Sequence, residues 1–166
     1  MLPLLFLPAL IVNASSAVIP DAMEVHPGFF VLKTAPGPAT YAALKKAGIT
    51  HVVNLRRDGE HGFDSDRESA EVTATGAAYV RLAIGKAPSK DDLDLFRMIL
   101  GDLPSSAQVL VHCGDGNRAA GALCAWLVLD KGLKLEDAMT LSKQAGLALP
   151  ETEGAVRKYL GTKMKS

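Results

Sequence analysis

Short apolar runs and longer amphipathic stretches follow one another along the chain, and this pattern predicts strands alternating with helices. Short apolar runs bounded by turn-forming residues are typical of buried strands. The stretches between them carry apolar residues at the spacing of an amphipathic helix. The predicted strands span 28–33, 49–55, 78–84 and 109–112, and the predicted helices begin at Pro38, Ser65, Ser89, Ala119, Leu135 and Glu151.

The ends of the predicted helices carry their own signals. Ser65 with Glu68, and Ser89 with Asp92, have the spacing of a capping box. Alternating strands and helices predict an α/β fold, a single domain with a central, mostly parallel sheet flanked by helices. Ligands bind such sheets at the carboxyl ends of the strands. The residues expected to end helices are Gly48, Gly76, Pro104 and Gly132.

The composition is that of an ordinary globular chain. Its 166 residues are 48% apolar and 22% charged, which suits one domain with a substantial core and excludes a disordered chain. The 18 basic and 18 acidic residues cancel, so we expect neither nucleic acid nor an anionic membrane as a partner. The four histidines are scattered and the two cysteines lack zinc-type spacing, so we expect no metal site.

The first residues resemble an export signal. Residues 1–20 carry no charged side chain, and small residues follow the apolar stretch 2–12, with Ser15 and Ala17 placed as at a cleavage site. The apolar stretch is too short for stable membrane insertion. We therefore predict a signal peptide over 1–17, a catalytic domain over 22–166, and a periplasmic or secreted protein. The segment has no Lys or Arg, and the alternative is an N-terminal arm of a cytoplasmic protein.

The strongest candidate for chemistry is the stretch 109–121, where an apolar strand ends at Cys113 and a glycine-containing loop leads into a helix. A helix N-terminus after such a loop directs backbone N–H groups and a positive dipole end at one point. A thiolate there is stabilised, and the thiolate is the nucleophilic form of cysteine. Arg118 adds donors suited to an oxyanion. The alternative is a structural cysteine buried at a strand end.

The second cysteine lies in a different setting. Cys124 falls in an apolar stretch that predicts a buried helix, more than a full turn beyond the loop. We expect Cys124 to be a core thiol and Cys113 to be free, although Cys124 could act as a resolving thiol under oxidation.

Two blocks carry a family resemblance. His112-Cys113 followed by a glycine loop and Arg118 resembles the signature of cysteine-dependent tyrosine and dual-specificity phosphatases. The block 43–56 resembles the helix–strand block of their small bacterial relatives. The similarity extends from about Pro27 to about Leu147 and implies a fold of the dual-specificity-phosphatase type.

The resemblance also implies roles for individual residues. Cys113 would be the nucleophile, Arg118 the oxyanion clamp, and His112 would tune the thiolate or simply close a core strand. Arg56 would line the pocket rim, unless it is a solvated surface residue. No cofactor is implied. The loop positions that would supply the anion-binding amides are Gly114, Asp115, Gly116, Asn117 and Arg118.

Three departures from the phosphatase pattern matter. The loop between Cys113 and Arg118 is one residue shorter than usual, a length that rhodanese-type sulfurtransferases use. Ala119 stands where phosphatases commonly have Ser or Thr. The segment 85–89, where a general acid is expected, contains no carboxylate, so the acid is unknown. The other acidic residues considered are Asp58, Glu60, Asp64 and Asp115, each also explained as a solvated surface carboxylate, and Asp115 would repel a phosphate if it pointed inward.

Three functions remain after these considerations. The first is hydrolysis of phosphate monoesters through a phosphocysteine at Cys113. The second is sulfur transfer through a persulfide on Cys113, which needs no strong acid for an alkoxide. The third is a non-catalytic module that binds an anion or a phosphopeptide. The expected substrate is therefore a phosphorylated or sulfur-carrying anion.

Overall fold

A sheet of five strands forms the centre of the computed structural model, which describes residues 19–165. The order across the sheet is first, second, fifth, third, fourth; the first pair is antiparallel and the other neighbours are parallel. The mostly parallel sheet predicted from the alternation of elements is therefore confirmed. The predicted signal peptide, 1–17, lies outside the described residues. The strands are β1 Ala22–His26, β2 Phe29–Leu32, β3 His51–Asn54, β4 Ala78–Arg81 and β5 Val109–His112.

Six helices are present in the same part of the chain, and they cover both faces of the sheet. Side chains of successive strand residues point to opposite faces, and the buried residues divide accordingly. Leu110 packs with residues of the first two helices, whereas Val109 and Val111 pack with residues of the other four. None of these helices is long and apolar enough to cross a membrane. The helices are α1 Pro38–Leu44, α2 Ser65–Ala74, α3 Lys90–Gly101, α4 Asn117–Leu129, α5 Leu135–Gln144 and α6 Pro150–Lys163.

Several predicted boundaries were wrong. The strand β1 was missed because it lies at the sheet edge, mostly half-buried, and has no continuous apolar run. The capping box at Ser65 and Glu68 is absent: Asp64 is the N-cap of α2 and accepts the Arg67 amide at 3.0 Å. The box at Ser89 and Asp92 is confirmed, with both of its hydrogen bonds present. Helix α4 begins at Asn117, two residues earlier than predicted.

Candidate active site

The loop between β5 and α4 lies at the centre of the sheet's carboxyl edge. Strand β5 is buried throughout and pairs with β2 on one side and β3 on the other. The loop runs so close to the end of β2 that a Cβ on Gly116 would lie 2.9 Å from Cα of Lys33. Gly116 is also in the left-handed region, with φ +81°, and forms the N-cap of α4. Glycine is therefore required here on two grounds.

The sulfur of Cys113 is buried and has an anionic neighbour. The thiol donates a hydrogen bond to Oδ1 of Asp115 over 3.4 Å. The same oxygen accepts the Asn117 amide at 3.1 Å. One Asp115 carboxylate oxygen thus lies against the loop, although the residue as a whole is exposed, as expected of a surface carboxylate. A carboxylate oxygen already lies against the sulfur, held by the loop.

The guanidinium of Arg118 is held rigidly behind the loop. It forms a two-pronged ion pair with Glu60, at 2.6 and 2.7 Å, and donates to the Ile84 carbonyl oxygen at 3.0 Å. The hydrogen bond to Glu60 is the largest cause that raises the pKa of Arg118, and interactions with Cys113 contribute to it. Arg118 is therefore cationic, oriented, and close to Cys113.

Glu60 is the ion-pair partner of Arg118, so its interpretation as a solvated surface carboxylate was wrong. The hydrogen bond from Arg118 is the chief cause that lowers the pKa of Glu60 to about 2. Such a carboxyl is ionised at neutral pH and is a poor proton donor. Two other acid candidates are also engaged elsewhere. Asp58 is exposed and pairs with Arg81 at 2.8 Å, and Asp64 caps α2.

His112 faces away from the sulfur. Its Nε2 lies 2.6 Å from Oε1 of Glu68, and both side chains are buried. Its Nδ1 lies 3.4 Å from the Cys113 carbonyl oxygen. The imidazole therefore connects the end of β5 to α2, and any influence on the sulfur passes through the backbone. Sequence reasoning had assigned Glu68 to a capping box and missed this pair.

Arg56 is buried, so its interpretation as a solvated surface residue was wrong. It donates to the His61 carbonyl oxygen at 2.7 Å, and its guanidinium lies 4.8 Å from the centre of the Phe63 ring. These contacts shape the segment that carries Glu60. Arg56 also lines a cavity of about 180 Å³ beside Tyr41 and Glu68, which no residue of the loop 113–118 lines.

The side chain of Asn117 anchors the loop to the segment that leads into α6. Its side-chain oxygen accepts the Ala148 and Leu149 amides at 2.9 Å, and its nitrogen donates to Thr152 at 2.6 Å. The Thr152 hydroxyl in turn donates to the Lys86 carbonyl oxygen. The Asn117 side chain therefore points to the start of α6, which leaves only its backbone amide for the anion site.

The neighbours of Arg118 could have been found from topology. Strands β3 and β5 are parallel neighbours, so the segments that follow them meet at one edge. An acidic residue in 56–64 is for that reason a candidate partner for Arg118. Residues 19–165 contain no group of three or more His, Cys, Asp or Glu placed to hold a metal ion.

A comparison with known protein families identifies the family of the chain that carries this loop. The model of the DSP-PTPase phosphatases of polymorphic toxin systems (Tc-R-P) matches residues 30–132. The chain belongs to this family. The fold of the dual-specificity-phosphatase type, expected from the Cys113–Arg118 loop, is thereby confirmed.

Individual relatives of this DSP-PTPase chain extend the comparison. A β-lactamase hydrolase-like protein of Xylella fastidiosa is 28% identical over 117 residues, which cover 69% of this chain and 27% of that protein. Serine/threonine/tyrosine-interacting protein B of Xenopus laevis is 26% identical over 142 residues, covering 82% and 61%. The chain thus spans about a quarter of the length of the Xylella relative.

Solved structures agree on the fold of this DSP-PTPase domain. A DUF442 phosphatase-type protein of Shewanella putrefaciens superposes with a TM-score of 0.72 at 21% identity, covering 89% of this chain and 96% of that one. At 21% identity, this similarity shows that the two proteins share a fold. The chemistry at the loop must be argued from the residues of this chain.

Proposed function

We propose that this protein hydrolyses phosphate monoesters, with Cys113 as the nucleophile. The observation that carries the proposal is the Asp115 carboxylate oxygen beside the sulfur, held by the thiol and the Asn117 amide. A loop amide therefore donates to a carboxylate oxygen beside the sulfur, and this supports binding of a phosphate oxygen at the same amide. The family membership supports the same chemistry.

The contacts of Arg118 leave donors for the substrate. A guanidinium has five N–H groups. Nη1 donates to Glu60 and to the carbonyl oxygens of Ile84 and Leu55, and one N–H of Nη2 donates to Glu60. The remaining two, with the loop amides at the start of α4, are suited to the equatorial oxygens of a phosphoryl group.

The reaction would proceed in two displacements. The Cys113 sulfur forms a bond to phosphorus while the bond from phosphorus to the ester oxygen breaks, and the departing oxygen takes a proton. Water then attacks the phosphocysteine, releasing inorganic phosphate and the sulfur. Arg118 and the loop amides stabilise the equatorial oxygens in both steps.

The experiment that tests the function compares two reactions of the purified chain. One arm measures phosphate release from p-nitrophenyl phosphate, and the other measures sulfur transfer from thiosulfate to cyanide. We expect phosphate release that disappears in Cys113→Ser. Sulfur transfer alone would instead support the alternative that the short loop suggested, which the family match does not favour.

Absence of both reactions, with retained binding of vanadate or phosphate, would support the non-catalytic module. The Xenopus relative is named for interaction rather than for a reaction. Isothermal titration with vanadate gives this outcome a direct measurement, and Arg118→Lys is the matched variant that should weaken the binding.

We also propose that residues 1–17 direct export of the protein. The support is the uncharged apolar stretch followed by Ser15 and Ala17 at the spacing of a cleavage site. Mass spectrometry of the full chain expressed in a bacterium would test this. A mature form beginning at Val18 outside the cytoplasm is expected, and a cytoplasmic form that retains 1–17 would contradict it.

A further inference from the structure

We propose that Asp115 is the proton carrier of the reaction, taking the thiol proton of Cys113 and passing it to the leaving oxygen. This inference rests on the proposed phosphatase function and goes beyond it, because neither the family match nor the resemblance identifies an acid. The segment 85–89, where the phosphatase pattern places one, has no carboxylate.

The contact between the two side chains supplies the first step. The thiol of Cys113 donates directly to Oδ1 of Asp115. Transfer of this proton would leave a sulfur anion and a neutral carboxylic acid. Arg118 and the start of α4 stabilise the sulfur anion that this transfer produces, so the nucleophile is activated as the acid is formed.

The position of Asp115 permits the second step. The residue as a whole is exposed although its Oδ1 lies inside the loop. Rotation of the exposed side chain would carry the carboxyl away from the sulfur and towards solvent, where we expect the ester substrate to enter and the leaving oxygen to lie. A phosphate group that takes its place beside the sulfur then accepts the Asn117 amide.

Electrostatics favours the protonated carboxyl in that arrangement. A negatively charged phosphate next to a carboxyl group disfavours its ionised form. The inward-pointing acid that would repel a phosphate when ionised is therefore suited to it when neutral. Because an ionised Asp115 would repel the bound phosphate, the Asp115 carboxyl keeps its proton until the leaving oxygen takes it.

The other nearby carboxylates do not fit this role. Glu60 is ionised and held by two bonds to Arg118. Asp58 pairs with Arg81 in solvent, and Asp92 bonds the Ser89 amide at the start of α3. Glu68 is buried against His112. Among these acidic side chains, Asp115 is the one in contact with the nucleophilic sulfur.

Protons and electron pairs balance over the cycle. The thiol proton moves to Asp115, the sulfur forms a bond to phosphorus, and the bond to the ester oxygen breaks. That oxygen takes the proton and leaves as an alcohol. In the second half Asp115 accepts a proton from the attacking water, phosphate departs, and the proton returns to the sulfur. The sum is ester plus water giving alcohol plus phosphate.

Leaving groups of different basicity test the proposal. The variant is Asp115→Asn, and the matched control is Asp58→Asn, an exposed carboxylate on a neighbouring loop. The substrates are p-nitrophenyl phosphate, whose leaving group needs little protonation, and an alkyl phosphate, whose leaving group needs a proton. The readout is the ratio of kcat/KM for the two substrates, because lost activation of the thiol lowers both values equally.

We expect Asp115→Asn to lower kcat/KM for the alkyl phosphate by a further factor of about 10²–10⁴ relative to p-nitrophenyl phosphate. Asp58→Asn should leave the ratio at the wild-type value. A wild-type ratio in Asp115→Asn, with thermal unfolding showing an intact fold, would overturn the proton role. If the wild-type chain shows no Cys113-dependent release from either substrate, the proposed function itself fails, and the proton role fails with it.

The second half of the cycle has a separate signature. Without Asp115 to take a proton from water, hydrolysis of the phosphocysteine should become limiting with p-nitrophenyl phosphate. We expect a burst of about one equivalent of p-nitrophenol in Asp115→Asn, followed by slow turnover. A burst of the same size in the Asp58→Asn control would show that the burst does not report on Asp115.

Discussion

The two cysteines of this chain lie in the same buried domain but in opposite chemical settings. Both are free thiols with no exposed surface. Cys113 lies at a strand end with a carboxylate against its sulfur and a guanidinium nearby. Cys124 lies inside α4, where burial is the chief cause that raises the pKa of its thiol. Burial alone therefore does not distinguish the two thiols, whereas their polar partners do, and those partners support the proposed role of Cys113 as nucleophile.

The substitution with the largest expected effect on this contrast replaces the sulfur of each cysteine, in turn, with oxygen. Cys113→Ser should lower phosphate release by at least about 10³-fold, because a neutral hydroxyl is a far weaker nucleophile. Cys124→Ser should leave kcat/KM within about 3-fold and lower the free energy of unfolding by about 1–2 kcal/mol, since it places a hydroxyl in the core. Turnover assays and urea unfolding measure the two effects. A catalytic loss in Cys124→Ser at unchanged stability would break the contrast.

The second test concerns the cation beside Cys113. Arg118→Lys keeps the charge but loses the planar set of donors that bind Glu60 and that we propose bind the substrate. We expect kcat/KM to fall by about 10²–10³-fold. The control is Arg157→Lys on α6, where Arg157 pairs with Glu153 on the surface, and this variant should match the wild type. Equal activity of the two variants would mean that charge alone suffices at the loop.

The third test compares the reactivity of the two thiols directly. Both sulfurs are buried, but Cys113 lies in a loop beside the exposed Asp115 and a cation, whereas Cys124 lies inside α4. Iodoacetamide should therefore modify Cys113 at least about 10-fold faster than Cys124. Peptide mass mapping over time gives both rates in one sample. Inorganic phosphate should slow the modification of Cys113 and leave that of Cys124 unchanged. Faster labelling of Cys124 would contradict the assignment.

The smallest expected effect concerns the pH dependence of stability near Cys113. The pKa of Glu60 in the folded protein is about 2, below its ordinary value of 4.5. A folded-state pKa that is depressed stabilises the fold above the unfolded pKa, and this stabilisation is lost as the pH falls towards the folded value. The melting temperature of wild type should therefore fall more steeply than that of Glu60→Gln between about pH 5 and about pH 2. The exposed Glu151→Gln serves as control and should follow the wild-type curve.

Local features of the sequence were sufficient for four of the five strands, for the existence of the six helices and for the loop. Ser89 and Asp92 lie three positions apart on one turn, so their capping box was predicted and is present. Cys113 and Arg118 lie at the two ends of one short loop, so their proximity follows from chain connectivity. Strand β1 was not predicted because its pairing with β2, rather than its own pattern, makes it a strand.

The partners of the loop were not predictable in the same way. Glu60 and Arg118 are separated by 58 positions, and Glu60 has the same local sequence signal as any carboxylate in a turn. The buried pair of His112 and Glu68 likewise joins a strand end to a distant helix. Only the parallel pairing of β3 with β5 brings these segments to one edge.

The amino-acid sequence by itself determined the alternation of strands and helices, the loop that holds Cys113 and Arg118, and the glycines in that loop that permit unusual backbone dihedrals. These depend on short-range periodicity, connectivity and backbone sterics. The tertiary structure decided which carboxylate orients Arg118 and which one touches the Cys113 sulfur. The direction of a charged side chain depends on the partners and the burial that distant segments supply, and these exist only after the sheet has assembled.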